Sequence, residues 1–324
     1  MRAHPRSSVA MPHFLIRTIL LLSLLFPAAR MNAESTGYAG ESGNLLPDLV
    51  PAYILEVPDS IGDILVADAG AARLWRFAML DGQANERDQR YMSIGINGVG
   101  KRKAWDRRTP LGIYFITERL DTSRMHEKYG VAAFPLDYPN AWDRYHRRTG
   151  DGIWLHGVDK NNPERPPLDT DGCLSLPNDE LTKIADDLKP QVTPVIVARD
   201  MELVSRGELR ETRLAFRRVL DAWRQSQEQG DVLAYLSMYS QDFRFGDLDK
   251  NEWAEYRFAV FEERELNAIE LEDVLLMADP EEPGLFLSRF TQVLTTAGNE
   301  VRTTKRLYWK RDEANWTIIS EDAG

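Results

Sequence analysis

The chain has 324 residues, 43% of them apolar, and carries 51 acidic against 40 basic side chains for a formal net charge of −11. That is ample material for packed cores, and the acidic balance argues against nucleic acid as a partner, because phosphates call for a basic surface. One cysteine and five histidines leave little for a disulfide framework or a thiolate zinc site, so no metal and no cofactor is expected.

From Met11 the sequence passes Arg17 into an apolar stretch, residues 18–26, followed by Pro27-Ala28-Ala29. The stretch is shorter than the roughly 20 apolar residues of a membrane span. It has the plan of a secretory signal peptide, with small residues for cleavage between Ala29 and Ala33. Residues 1–33 are therefore assigned to a signal peptide, with an uncleaved anchor as the alternative. Residues 34–58 read as an N-terminal arm, rich in Ser, Gly, Asn and Pro before a short strand at 53–57. That strand docks on the domain or on a second subunit, which makes the arm a candidate element for a homodimer.

A first domain is assigned to residues 59–200. Short apolar runs at 64–68, 74–79 and 91–95, separated by Asp, Gly and Asn, predict strands of a small β-sandwich or barrel. Residues 98–103 form a loop with a basic cluster, read as solvated. Thr109-Pro110-Leu111-Gly112 leads into a further strand at 113–117. Residues 120–150 are long, aromatic and proline-bearing, which inside a compact domain marks a functional or mobile loop. They are read as a flap whose aromatic faces, Tyr138 among them, pack on a bound sugar or peptide. Arg147 and Arg148 follow, as candidates for bidentate pairing with a substrate carboxylate, or else as plain surface charge.

The chemistry concentrates in Ile153-Trp154-Leu155-His156-Gly157 and, after a Pro- and Asp-rich loop, Thr170-Asp171-Gly172-Cys173-Leu174-Ser175-Leu176. A thiolate is a strong nucleophile, and an imidazole is well suited to ionise a thiol near neutral pH. Gly172 allows a sharp turn that would leave the amides of Gly172 and Cys173 facing the sulfur as an oxyanion hole. The turn after Cys173 enters a helix at 181–188, with Asn178 or Asp179 as cap, and a helix start acidifies a nearby thiol. In an exported protein a lone cysteine beside a histidine is better explained by chemistry than by packing. Asp169 and Asp171 are candidates for orienting His156, with an ordinary structural role as the alternative. A strand at 193–197 closes the domain.

His156-Gly157, the spacer, Thr170-x-Gly172-Cys173 and the upstream Thr-Pro-x-Gly together resemble the signature of the L,D-transpeptidase (YkuD-type) catalytic domain. The resemblance implies Cys173 as nucleophile, His156 as base and Gly172 in the catalytic loop. It further implies peptidoglycan stem peptides as substrate, for which Trp154, Gly157, Thr170, Asp171, Ser175, Tyr138, Arg147 and Arg148 are the candidate lining, and a periplasmic, wall-associated location. Ser175 stands where many members carry Arg or Asn, and Asp171 where many carry His.

Residues 201–210 read as a linker, and 211–324 as a second domain. Helical spacing runs over 213–229, 232–239 and 253–265. Strand patterns follow at 269–272, 285–293, 301–309 and 316–319. Helices first and a curled antiparallel sheet after is an α+β plan. The order, with Tyr235-x-x-Met238-Tyr239-Ser240-x-Asp242-Phe243, resembles the SnoaL-like cone-shaped barrel, which implies a pocket and a protein or ligand partner for this domain. The expected fold class is thus mixed: a β-rich sandwich or barrel followed by an α+β cone.

The resulting expectation is an L,D-transpeptidase that forms a thioacyl-enzyme at Cys173. The alternatives are an L,D-carboxypeptidase that trims tetrapeptide stems through the same intermediate, and a catalytically idle wall-binding scaffold. A papain-like peptidase is disfavoured because its cysteine precedes its histidine.

Overall fold

The computed structural model describes residues 48–80, 83–263, 268–296, 298–313 and 315–324. The expected signal peptide and the first part of the arm lie outside these residues. Among the described residues no helix is long and apolar enough to cross a membrane.

The centre of the molecule is a five-stranded sheet in the order Gln83–Tyr91, Arg73–Leu80, Asp63–Asp68, Pro194–Ala198, Gly112–Phe115. Its middle pair, Asp63–Asp68 and Pro194–Ala198, runs parallel, and the outer pairs run antiparallel. Leu65, Ala67, Val195 and Val197 point to one face, and Ile64, Val66, Ile196 and Ala198 to the other. All eight are fully buried. A strand covered on both faces reads as a continuous apolar run, as Pro194-Val195-Ile196-Val197-Ala198 does.

On the first face the sheet packs against a three-stranded sheet in the order Leu174–Ser175, Trp154–His156, Ala133–Pro135, and against a helix Asn178–Ile184. Phe134, Leu155, Leu174, Leu181 and Ile184 supply that side of the core. These two layers are the sandwich expected from the first half of the sequence.

The other face is covered by the second domain. Its six-stranded sheet has the order Tyr239–Arg244, Asn315–Ala323, Asn299–Asp312, Leu285–Thr296, Ala268–Ala278, Ile54–Glu56. Leu275, Met277, Leu285, Leu287 and Tyr308 join Ile64, Val66, Phe77, Ile113, Phe115 and Trp142 in one buried cluster. The two halves therefore share a core. Arg306 adds an ion-pair cluster at this boundary, pairing with Asp137 of the first half and Asp322 of the second.

Three expectations are corrected here. The final strand of the arm, Ile54–Glu56, pairs antiparallel with Ala268–Ala278, and Leu49–Pro51 pairs with Leu203–Ser205. The described strands of the arm thus pair within their own chain. The residues read as a linker instead hold the strand Leu203–Ser205 and the first turn of a 23-residue helix, Arg206–Glu228. Ser205 and Glu208 cap that helix reciprocally. Finally, the interior of the cone-shaped second domain is filled by rings. Phe216, Trp223, Tyr235, Tyr239, Phe243, Phe290 and Trp309 are all buried, and Tyr239 joins Trp223 Nε1, Tyr235 and Glu321 in one hydrogen-bonded network.

Candidate active site

Leu155 is buried in the core between the sheets, so the alternation of the strand turns Trp154 and His156 to the opposite face. The strand Leu174–Ser175 lies parallel to it, with Leu174 opposite Leu155 and Ser175 opposite His156. Cys173, just ahead of that strand, emerges beside Trp154, whose backbone its thiol contacts. The register thus brings Cys173 and His156 to one side of the small sheet. Cys173 is half-buried and His156 is 4% exposed.

The imidazole is fixed by backbone. His156 Nδ1 lies 2.6 Å from the carbonyl oxygen of Gly157, and a carbonyl only accepts, so Nδ1 carries the proton and Nε2 is left unprotonated as the basic nitrogen. Ser175 Oγ donates to the same carbonyl at 3.1 Å. Tyr129 covers the ring edge-on at 5.3 Å between centroids and lies tilted against Trp154 at 4.6 Å. Burial pushes the His156 pKa from 6.5 down to about 4; the bond to Gly157 opposes this, and the cations Arg165 and Lys128 add to it. Burial also raises the Cys173 thiol, against the contact with the Trp154 backbone and the pull of Lys128. At neutral pH the pair rests as neutral thiol and neutral imidazole, with the S–H donating to the Gly152 carbonyl at 3.4 Å.

The loop that presents the cysteine is built from both sequence motifs. Thr170 Oγ1 donates to the Cys173 carbonyl at 2.7 Å and accepts from the Gly172 amide at 3.1 Å. Thr109, of the Thr-Pro-x-Gly element, donates to the Gly172 carbonyl at 2.9 Å and accepts from the Gly95 amide at 2.9 Å. Gly172 has φ +127°, and a Cβ there would stand 2.7 Å from the Arg108 carbonyl oxygen. Only glycine fits.

Several expected roles change. The Gly172 amide is engaged by Thr170 at 3.1 Å and so does not face the sulfur as a free donor. Thr170 and Ser175 are buried, and their hydroxyls are spent on the backbone carbonyls of Cys173 and Gly157. The short helix starts at Asn178, five residues beyond Cys173, with Pro177 as its cap residue and no side-chain cap bond; a strand intervenes, and the thiol is raised rather than acidified. Asn178 instead binds three backbone groups, accepting from Val131 and Val158 amides at 3.2 and 3.1 Å and donating to the Val158 carbonyl at 2.8 Å. Neither Asp169 nor Asp171 orients the histidine: they pair with Arg165 and Arg107, and Asp171 is exposed. Arg148 is committed to buried Asp143 at 2.9 Å, while Arg147 is exposed. Tyr138 is a core residue, 5% exposed, with its hydroxyl on the Thr149 carbonyl at 3.2 Å. The supposed flap is therefore mostly docked structure. From it Tyr129 reaches the His156 ring, and Ala133 lies opposite His156 in the small sheet.

The basic loop is also less solvated than its sequence suggests. Lys101 is 4% exposed and pairs with Asp106 at 2.9 Å. Burial alone would raise Asp106, but the backbone amides of Lys103, Arg102 and Arg108 together with Lys101 hold it down to about 2.

Comparison with known proteins agrees with this architecture. Residues 62–197 match the model of the L,D-transpeptidase catalytic domain, YkuD, and residues 215–322 match that of the Cds6 C-terminal NTF2-like domain. None of the curated proteins matches the chain. Among solved structures, Bd1075 of Bdellovibrio bacteriovorus is similar with a TM-score of 0.72 and 24% identity, over 86% of this chain and 98% of its own. The helical cell shape determining protein Pgp2 of Campylobacter jejuni is similar with a TM-score of 0.70 and 23% identity, over 83% of this chain and 94% of its own. The chain thus carries an L,D-transpeptidase (YkuD) catalytic domain joined to a C-terminal NTF2-like domain.

Proposed function

We propose that the protein is an exported acyl-transfer enzyme of the cell wall, an L,D-transpeptidase whose Cys173 attacks a stem-peptide amide of peptidoglycan. The observation that carries this reading is the 2.6 Å contact of His156 Nδ1 with the Gly157 carbonyl, which leaves Nε2 as the base on the face where Cys173 emerges. As the S–C bond forms, the thiol proton passes to Nε2 and the oxyanion meets the Cys173 amide. Collapse breaks the C–N bond, and His156 returns the proton to the departing amine, leaving a thioester. An acceptor amine then attacks, gives its proton to Nε2, and releases the thiolate, which takes that proton back. With water as acceptor the same steps trim the stem. A neutral resting pair fits this sequence, because proton transfer accompanies attack.

The NTF2-like domain is given a structural part, as the backing of the catalytic sheet, supported by the shared core. Likeness in fold to a cell-shape determinant supports wall remodelling as the setting. Incubation with purified sacculi followed by muropeptide mass spectrometry tests the proposal. Cross-linked dimers identify an amine acceptor and tripeptides identify water; neither product, or product from Cys173→Ala, refutes it.

A further inference from the structure

The acyl-transfer reading gives no role to Arg165, a cation that acts on the base. On the Ser175 side of His156 lies an open cleft of about 330 Å³ whose lining includes Tyr91, Ser93, Arg165, Ser175 and Pro177, with Glu164 at its exposed rim. Its floor is stiff, because Ser93 and Ser175 exchange backbone hydrogen bonds at 2.9 Å in both directions. Tyr91 donates its hydroxyl to the Arg165 carbonyl at 2.7 Å and so fixes that backbone. The guanidinium is 15% exposed and uses one nitrogen on Asp169 at 3.1 Å. Its Nε is buried and has no acceptor among the described residues. A buried donor left unpaired is costly, and native proteins rarely keep one without a use. Arg165 is also close enough to His156 to weigh on its protonation.

We propose that this cleft receives a carboxylate of the peptide substrate, and that Arg165 is the residue that selects for it. The inference rests on the acyl-transfer reading for its choice of ligand, since stem peptides carry several carboxylates. The spacing suits it. Ser175 lies two strand residues beyond Cys173, roughly 7 Å at about 3.3 Å per residue, which places the anion one to two residues from the reacting carbonyl. A guanidinium that gives one nitrogen to Asp169 keeps further N–H donors for a second carboxylate. Arg148 does not serve, because it is committed to Asp143.

The test is binding of a stem tetrapeptide, and of its fully amidated form, to the full chain carrying Cys173→Ala, measured by calorimetry. The free acid should bind at least about 10-fold more tightly, in line with a charged hydrogen-bonded pair, and Arg165→Gln should erase that preference. Asp169→Asn breaks the same ion pair but keeps the guanidinium, so it should retain the preference. No preference in Cys173→Ala, a preference that survives Arg165→Gln, or an equal loss in Asp169→Asn would each overturn the proposal. Acylation of Cys173 in the otherwise native chain is scored separately. Its absence would refute the acyl-transfer reading, while the binding comparison still decides the cleft.

Discussion

Asn178 offers a sharp test of how the base is held. Its side chain spans the backbone on both sides of His156, with bonds to Val131 and Val158 of 3.2, 3.1 and 2.8 Å. Asn178→Ala removes all three and leaves two amides and one carbonyl unpaired. At about 1 kcal/mol net for each bond, the loss is about 3 kcal/mol. At about 2.1 cal/mol/K of unfolding entropy per residue, that corresponds to a fall in Tm of about 4–5 °C for a chain of 324 residues. The Gly157 carbonyl, which holds Nδ1, is tethered by the same bonds, so a shift of about 1 Å should cost about 100-fold in kcat/KM. Gly157→Ala attacks the arrangement from the other side, because its Cβ would stand 2.2 Å from Asn178 Oδ1. The two changes should be less than additive: Asn178→Ala removes the tightest contact, leaving the Val131 amide at 3.0 Å and Gly130 Cα at 3.2 Å, so Gly157→Ala should cost less there than in the native chain. Thermal melts and peptide kinetics on the two single variants and the double variant form the assay. Full additivity, or a native Tm in Asn178→Ala, would refute the reasoning.

Other consequences are as specific. Burial holds His156 at about 4, against 6.5 when unfolded, so its neutral form stabilises nothing extra above pH 6.5, and the unfolded chain takes up the proton first as pH falls. Stability should therefore be lost between pH 6.5 and 4, by about 3 kcal/mol at about 1.4 kcal/mol per pH unit, and melts of His156→Gln should lack that slope. Acylation of the wild type should persist down to about pH 5 and fail near 4. Arg148→Ala leaves Asp143, 1% exposed, charged and unpaired, and should cost about 3–5 kcal/mol of stability. A stable Arg148→Ala protein with weakened peptide affinity would restore its reading as a substrate contact. Ser175→Ala removes one bond to the Gly157 carbonyl and should lower kcat several-fold with KM unchanged; a rise in KM alone would place Ser175 against substrate.

What the sequence disclosed, and what it hid, divides along physical lines. The cysteine, the histidine and their glycines were legible because few other arrangements call for Gly before Cys and after His at those places. The two-sided burial of Pro194–Ala198 was visible as an unbroken apolar run, yet nothing in that run names the partner on its second face, so the shared core went unread. Gln83–Tyr91 is an edge strand of polar sequence, QANERDQRY, without apolar alternation to betray it. Asn178 followed a proline ahead of a helical pattern and therefore looked like a cap, whereas its bonds run to segments 20 and 47 residues away. Tyr129 was one aromatic among several in a long loop, and only packing singles it out.

The central claim is that Cys173 becomes acylated with His156 as its base, and intact-protein mass spectrometry reads this directly. Exposure to a stem tetrapeptide or to a carbapenem acyl donor should add one acyl mass to the wild type, none to Cys173→Ala, and to His156→Gln only at a rate lower by about 100-fold or more. An unmodified wild-type protein, or an adduct that survives Cys173→Ala, would contradict it.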